Sequence, residues 1–370
     1  MTNAVEARRA KADWSAVRLH VVTGKGGTGK TTVAAALALA LAAGGERPGD
    51  RRVLLVEVEG RQGLSQLFDA GPVVYEERRV AVTPDGGEVW AQALDAEQAL
   101  LEYLDLFYKL GPAARALRRF GAIDFATTVA PGIRDVLLTG KTCEAVRRRA
   151  GHTHSTHTHS GHTHSGHTHS GHTQGRGKTQ DRVFDYDAVV MDAPPTGRIT
   201  RFLNVNSEVS GLARVGPIRN QADAVMRVLT SAQTAVHFVT LLEEMPVQET
   251  LDGIAELRAA SLPTGGVIVN QARPVVLPED RLKKAAQPGG LDFAELEAGL
   301  APVGLADTDL VSALAELATE HAQRVLLEAA QREELTATEA PLYELPLLTD
   351  GVDRVGLDLL AQRLRDQGAA

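Results

Sequence analysis

Only one cysteine, Cys143, occurs in 370 residues, so the chain can form no internal disulfide and no thiolate-rich metal site of its own. An excess of positive charge is also missing. With 39 Lys and Arg against 47 Asp and Glu, the formal charge is −8, which argues against gripping nucleic acid or anionic lipid by bulk charge. No apolar run reaches membrane-spanning length: the most apolar stretch, Thr32 to Ala43, is too short to cross a bilayer. The basic N-terminal segment lacks the apolar centre of a signal peptide. These absences lead us to expect no nucleic-acid partner, no stable membrane insertion and a reducing cytoplasmic setting.

What is present reads as an α/β protein. Arg18 to Val22 is a short apolar strand ending in a glycine-rich turn. A helix is predicted from Lys30 to about Ala43, stopped by Gly44-Gly45, and Val53 to Val58 is a second strand. That order is a βαβ unit, which implies parallel pairing and a right-handed crossover. Further apolar strands are read at Tyr186 to Met191, Ala235 to Leu241, Gly266 to Val269 and Leu342 to Leu348. Five or six such strands separated by helices predict a doubly wound, mainly parallel sheet. We read residues 1–370 as a single P-loop ATPase domain carrying two insertions. Residues 93–150 form a mostly helical, partner-binding subdomain, with breaks near Gly111-Pro112 and Pro131-Gly132. Residues 151–180 hold a flexible tract, in which His152 to Thr173 contains nine of the twelve histidines and no apolar residue.

Gly24 to Thr31 reads GKGGTGKT, a full match to G-x-x-x-x-G-K-[ST] in the expected strand–turn–helix context. Glycines let the backbone approach closely enough for several N–H groups to point at phosphates, and the following helix adds its dipole. We therefore assign Gly24, Gly26, Gly27, Thr28, Gly29, Lys30, Thr31 and the adjoining Thr32 to ATP. Lys30 neutralises the β- and γ-phosphates, and Thr31 ligates Mg²⁺. Asp192, at the carboxyl end of the strand ending at Met191, sits where a P-loop protein holds its Mg²⁺ shell. Pro194, Pro195 and Gly197 follow as a stiff turn suited to sensing a γ-phosphate.

A second lysine, Lys25, makes the loop resemble the signature-lysine class of P-loop ATPases, which includes partitioning ATPases and the nitrogenase iron protein. Within that class the chain is most similar to the arsenite-pump and tail-anchored-protein-targeting ATPases, especially the actinobacterial members whose related subunits work as a pair. The likeness rests on several segments: GKGGTGKTT; PGI at Pro131 to Ile133; VNQ at Val269 to Gln271; LPLL at Leu345 to Leu348; and Asp192 to Leu203. This last run follows D-T-A-P-T-G-H-T-x-R-F-L with changes at Ala193, within Pro194-Pro195, and at Arg198 and Ile199. The resemblance implies that Lys25 reaches across a homodimer or heterodimer interface to the partner's nucleotide. It also makes Asn270 the adenine contact, with Pro346 a second candidate for packing on that base.

The departures carry information as well. Where the family has D-P-A-H, whose aspartate orients the attacking water, this chain has Glu59-Gly60-Arg61-Gln62. Glu59 keeps a carboxylate displaced by one methylene, and it either orients that water or is a solvated loop residue. The family's zinc-binding C-x-x-C is absent, and four methionines are too few for a Met-rich client groove. One cysteine cannot build a thiolate site for As(III). Asn270-Gln271-Ala272-Arg273 lacks the aspartate that would read guanine, so ATP is the expected nucleotide. The leading expectation is an ATP-hydrolysing switch whose nucleotide state controls a related subunit or a protein client. Two alternatives stand beside it: a metal-delivery NTPase using the histidine tract, and an ATP-binding regulatory subunit with little turnover.

Overall fold

A computed structural model describes residues 13–44, 49, 51–60, 63–108, 131–150, 183–205, 217–305, 307–349 and 351–370. The histidine tract and the break at Gly111-Pro112 lie outside these residues. The strands are β1 (Leu19–Gly24), β2 (Arg52–Glu57), β3 (Arg78–Val82), β4 (Glu88–Ala93), β5 (Ala188–Asp192), β6 (Thr234–Thr240), β7 (Thr264–Ala272) and β8 (Leu342–Pro346). They form one sheet in the order β3-β4-β2-β5-β1-β6-β7-β8, parallel throughout except for the β3–β4 pair. The doubly wound α/β expectation holds.

Alternation along each strand splits the core into two layers. Leu19 and Val21 of β1, Leu54 and Val56 of β2, and Val189 and Met191 of β5 face one side. There they meet α4 (Pro131–Arg147), α5 (Thr196–Leu203), α6 (Pro217–Leu229) and α7 (Glu244–Ala259). Val22, Val53, Leu55 and Val190 face the other side, against α1 (Lys30–Ala43) and α11 (Arg354–Asp366). From Val33 to Ala42 every residue of α1 is buried. A helix apolar on all sides belongs between two layers, and its alanines let α11 and the sheet approach closely.

Two strands were not expected. β3 and β4 form an antiparallel hairpin at the sheet edge, and β3 opens with the charged, exposed pair Arg78-Arg79. A charged edge strand discourages pairing with other chains, and for the same reason it lacks the apolar run that marks a central strand. Residues 96–108 form α3, and Pro131 begins α4 rather than merely breaking a helix, since proline is pre-shaped for the first helical turn. The remaining helices are α2 (Gly63–Leu67), α8 (Glu279–Ala285), α9 (Phe293–Leu300) and α10 (Thr308–Thr336). Among the described residues, no single helix is long and apolar enough to cross a membrane.

Candidate functional site

The carboxyl ends of the central parallel strands β1, β2 and β5 gather the chemistry at one end of the sheet, as in other open α/β folds. β1 ends at Gly24 and α1 starts at Lys30, so the glycine-rich loop spans the gap between them. Two of its glycines are dictated by space. A Cβ on Gly24 would land on the Val239 carbonyl of β6, and one on Gly29 would land on the Asn270 side-chain amide. Gly29 also has φ 85°, a left-handed conformation that costs an ordinary residue about 1–2 kcal/mol. Gly26 and Gly27 form the exposed tip. The loop closes on itself through the Lys25 carbonyl, which accepts from the Thr28 hydroxyl at 2.9 Å and from Lys30 Nζ at 3.4 Å.

Lys30 is buried although charged, and Thr31 Oγ1 donates to Asp192 Oδ2 at 2.7 Å. That bond ties the start of α1 to the end of β5. Burial pushes the Asp192 carboxyl up to about 6, against the opposing pull of the Thr31 hydrogen bond and the Lys30 charge, while Glu57 and Glu59 push it further up. Gly27, Gly29, Lys30, Thr31, Glu57, Glu59 and Asp192 line one cavity of about 250 Å³. A buried ammonium, a hydroxyl and carboxylates below a helix N-terminus suit a phosphate chain with a hard cation.

Residues 8–98 match the sequence profile of an AAA domain. ATPase BagA of Mycobacterium tuberculosis is 49% identical over 356 residues, covering 96% of this chain and 94% of the relative. A protein of Mycobacterium bovis, also named as an ATPase, matches to the same extent. The chain belongs to this ATPase family. It is an ATPase.

The other residues singled out in the sequence take distinct places in the ATPase. Thr32, next in α1, is half-buried. Lys25 pairs within its own chain with Glu249 of α7, and this ammonium holds the Glu249 carboxyl below its usual range. The second oxygen of Glu249 accepts from Thr196 Oγ1 at 2.9 Å. Glu249 thus joins the glycine-rich loop to the first residue of α5, the helix that follows Asp192. Nothing in the sequence near Glu249 announces that role, since it is one of several acidic residues on an amphipathic helix. Glu59 lines the same cavity as Lys30 and Asp192 and also faces Arg198 of α5 at 3.8 Å. Asn270 is buried two residues before the end of β7, where Nδ2 donates to the Thr28 carbonyl at 2.9 Å and Oδ1 accepts from the Gln271 amide at 3.0 Å. Its evident work in this structure is to brace the loop. Pro346 ends β8 beside Ala272 of β7, the strand that carries Asn270.

Glu57 was missed. It is the last residue of β2, only 2% exposed, and lines the cavity beside Asp192. The signal was available: in VLLVEV an acid interrupts an apolar strand on the same alternation as Val53 and Leu55, which face α1.

Proposed function

We propose that this ATPase is an ATP- and Mg²⁺-dependent switch working as one half of a dimer. Its place, on this reading, is with the arsenite-pump and tail-anchored-protein-targeting ATPases. The observation that carries the proposal is the bridge made by Glu249, which ties Lys25 of the phosphate loop to Thr196 at the start of α5. A lysine beside the nucleotide and the helix after the Mg²⁺ carboxylate then share one acceptor, so a change at the phosphates is felt by both.

The donor set suits Mg²⁺, because Thr31 and Asp192 offer hard oxygens at one point and Lys30 supplies the opposing charge for phosphates. Among the described residues, no three His, Cys, Asp or Glu side chains could hold a metal by themselves. A cation shell here is completed by the nucleotide. Bound there, Mg²⁺ would neutralise charge on the β- and γ-phosphates. Lys30 and the loop amides bind and orient the phosphates, and Glu59 is placed to orient water. Lys25, once released from Glu249, adds a donor to the partner's transferred phosphate. The partner is a second copy or a related ATPase subunit, and the nucleotide state controls a protein client.

Complementation tests this. Lys25→Ala and Glu59→Gln should each retain ATP affinity by isothermal titration, yet lose turnover by about two to three orders of magnitude. If Lys25 acts in trans, one mixed site carries both defects and the other neither, so mixing the two variants restores part of the activity in a homodimer. With a different natural partner, activity returns only when that subunit is added. Unchanged turnover in Lys25→Ala would remove the dimer mechanism.

A further inference from the structure

Asp192 is the single carboxylate that the sequence offers for the metal, yet the structure buries a second one beside it. β2 and β5 are parallel neighbours, and their register pairs Glu57 with Asp192. Directly paired residues on adjacent strands project to the same face, with Cα atoms about 5 Å apart. That face carries α1, whose first two residues are Lys30 and Thr31. All four side chains line the same cavity, and Glu57 and Asp192 are 2% and 8% exposed. Burying one carboxylate costs several kcal/mol unless a cation compensates it. Among the described residues that line this cavity, three are carboxylates, Glu57, Glu59 and Asp192, and one is a cation, Lys30. A core position at the end of β2 would be filled more stably by another Val or Leu.

We propose that Glu57 contributes a second carboxylate to the divalent-cation shell of the ATP site. The inference rests on the Mg²⁺-dependent reading above and deepens it. Its consequence is a site that strongly favours the metal-bound form of ATP, because two adjacent carboxylates repel bare phosphates and attract a divalent ion. Mg²⁺ retains several of its waters in protein sites, so Glu57 serves whether it meets the ion itself or a water the ion holds.

Glu57→Gln, which keeps shape and removes charge, tests this through binding rather than turnover. A fluorescent ATP analogue is titrated into the full chain at graded free Mg²⁺ and again in EDTA. In the wild type, affinity should rise steeply with Mg²⁺. In Glu57→Gln the Mg²⁺ concentration needed for half the effect should increase about 10-fold or more, as for other residues that support a metal shell. Affinity in EDTA should hold or improve, because a negative charge facing the phosphates is gone. Glu57→Asp should fall between the two. A purely structural role predicts instead that both affinities weaken together, and that result, or an unchanged Mg²⁺ dependence, overturns the proposal. A thermal melt without nucleotide guards against misfolding: relieving the buried pair should leave the melting temperature equal or higher. If wild-type ATP affinity ignores Mg²⁺, the metal reading itself fails, and this inference falls with it.

Discussion

Lowering the pH from 7 to 4 should weaken the fold through one buried pair, His20 on β1 and His237 on β6. Both rings are buried, stacked with centroids 5.3 Å apart, and Trp14 meets His237 edge-on at 5.1 Å. The Gly266 amide donates to His237 Nδ1 at 3.1 Å, so Nδ1 carries no proton. The proton then sits on Nε2, which donates to His20 Nδ1 at 3.1 Å. A second proton on His237 would have to go on Nδ1, facing the Gly266 N–H in a buried site. Burial accordingly lowers the His237 pKa from 6.5 to about 4, and lowers that of His20 as well. The unfolded chain binds a proton at about pH 6.5 and the folded chain does not until about pH 4. Stability from this group is therefore fully present above pH 6.5 and is lost as the pH falls toward 4, a loss of about 3 kcal/mol. Urea denaturation at half-unit steps of pH measures it. His237→Asn, which can still accept from Gly266, should be less stable at pH 7 through lost packing but should show a shallower decline toward pH 4. Equal pH slopes in the two proteins would refute the argument.

Other consequences follow from the geometry of the loop and its surroundings. Gly29→Ala puts a methyl group on the Asn270 amide at a left-handed φ, so it should lower the melting temperature and weaken ATP binding in titration calorimetry. Lys30→Ala should abolish ATP binding by removing the buried counter-charge of the phosphates, and unchanged affinity would contradict the loop's assignment. Glu249→Leu unties both Lys25 and Thr196, so hydrogen exchange should quicken along residues 196–203, and unchanged exchange would show that the bridge restrains nothing. Deleting His152 to Thr173 should leave melting temperature and metal-free turnover nearly as they are, since a stretch without apolar side chains adds no core; a large drop in either would refute that.

Much of the architecture was legible because the central strands have to be. β1, β2, β5, β6 and β7 are covered on both faces, so they appear as continuous apolar runs. The glycine-rich turn and the Ala/Leu helix behind it were equally plain, because only glycine fits against Val239 and Asn270 and only small apolar residues fit between two layers. The β3–β4 hairpin was not legible, since an edge strand half open to water carries Arg78 and Arg79 instead of an apolar signature. By itself, then, the sequence determined the α/β class, the glycine-rich loop between β1 and α1, and Asp192 at a strand end, all local consequences of backbone sterics and alternation. Only the tertiary structure decided that Glu249, 224 positions from Lys25 in the chain, would hold that lysine, and that Glu57 would stand in register with Asp192. Those pairings depend on which strands become neighbours and how their ends align, and that is settled by burying two sheet faces at once rather than by any residue's immediate neighbours.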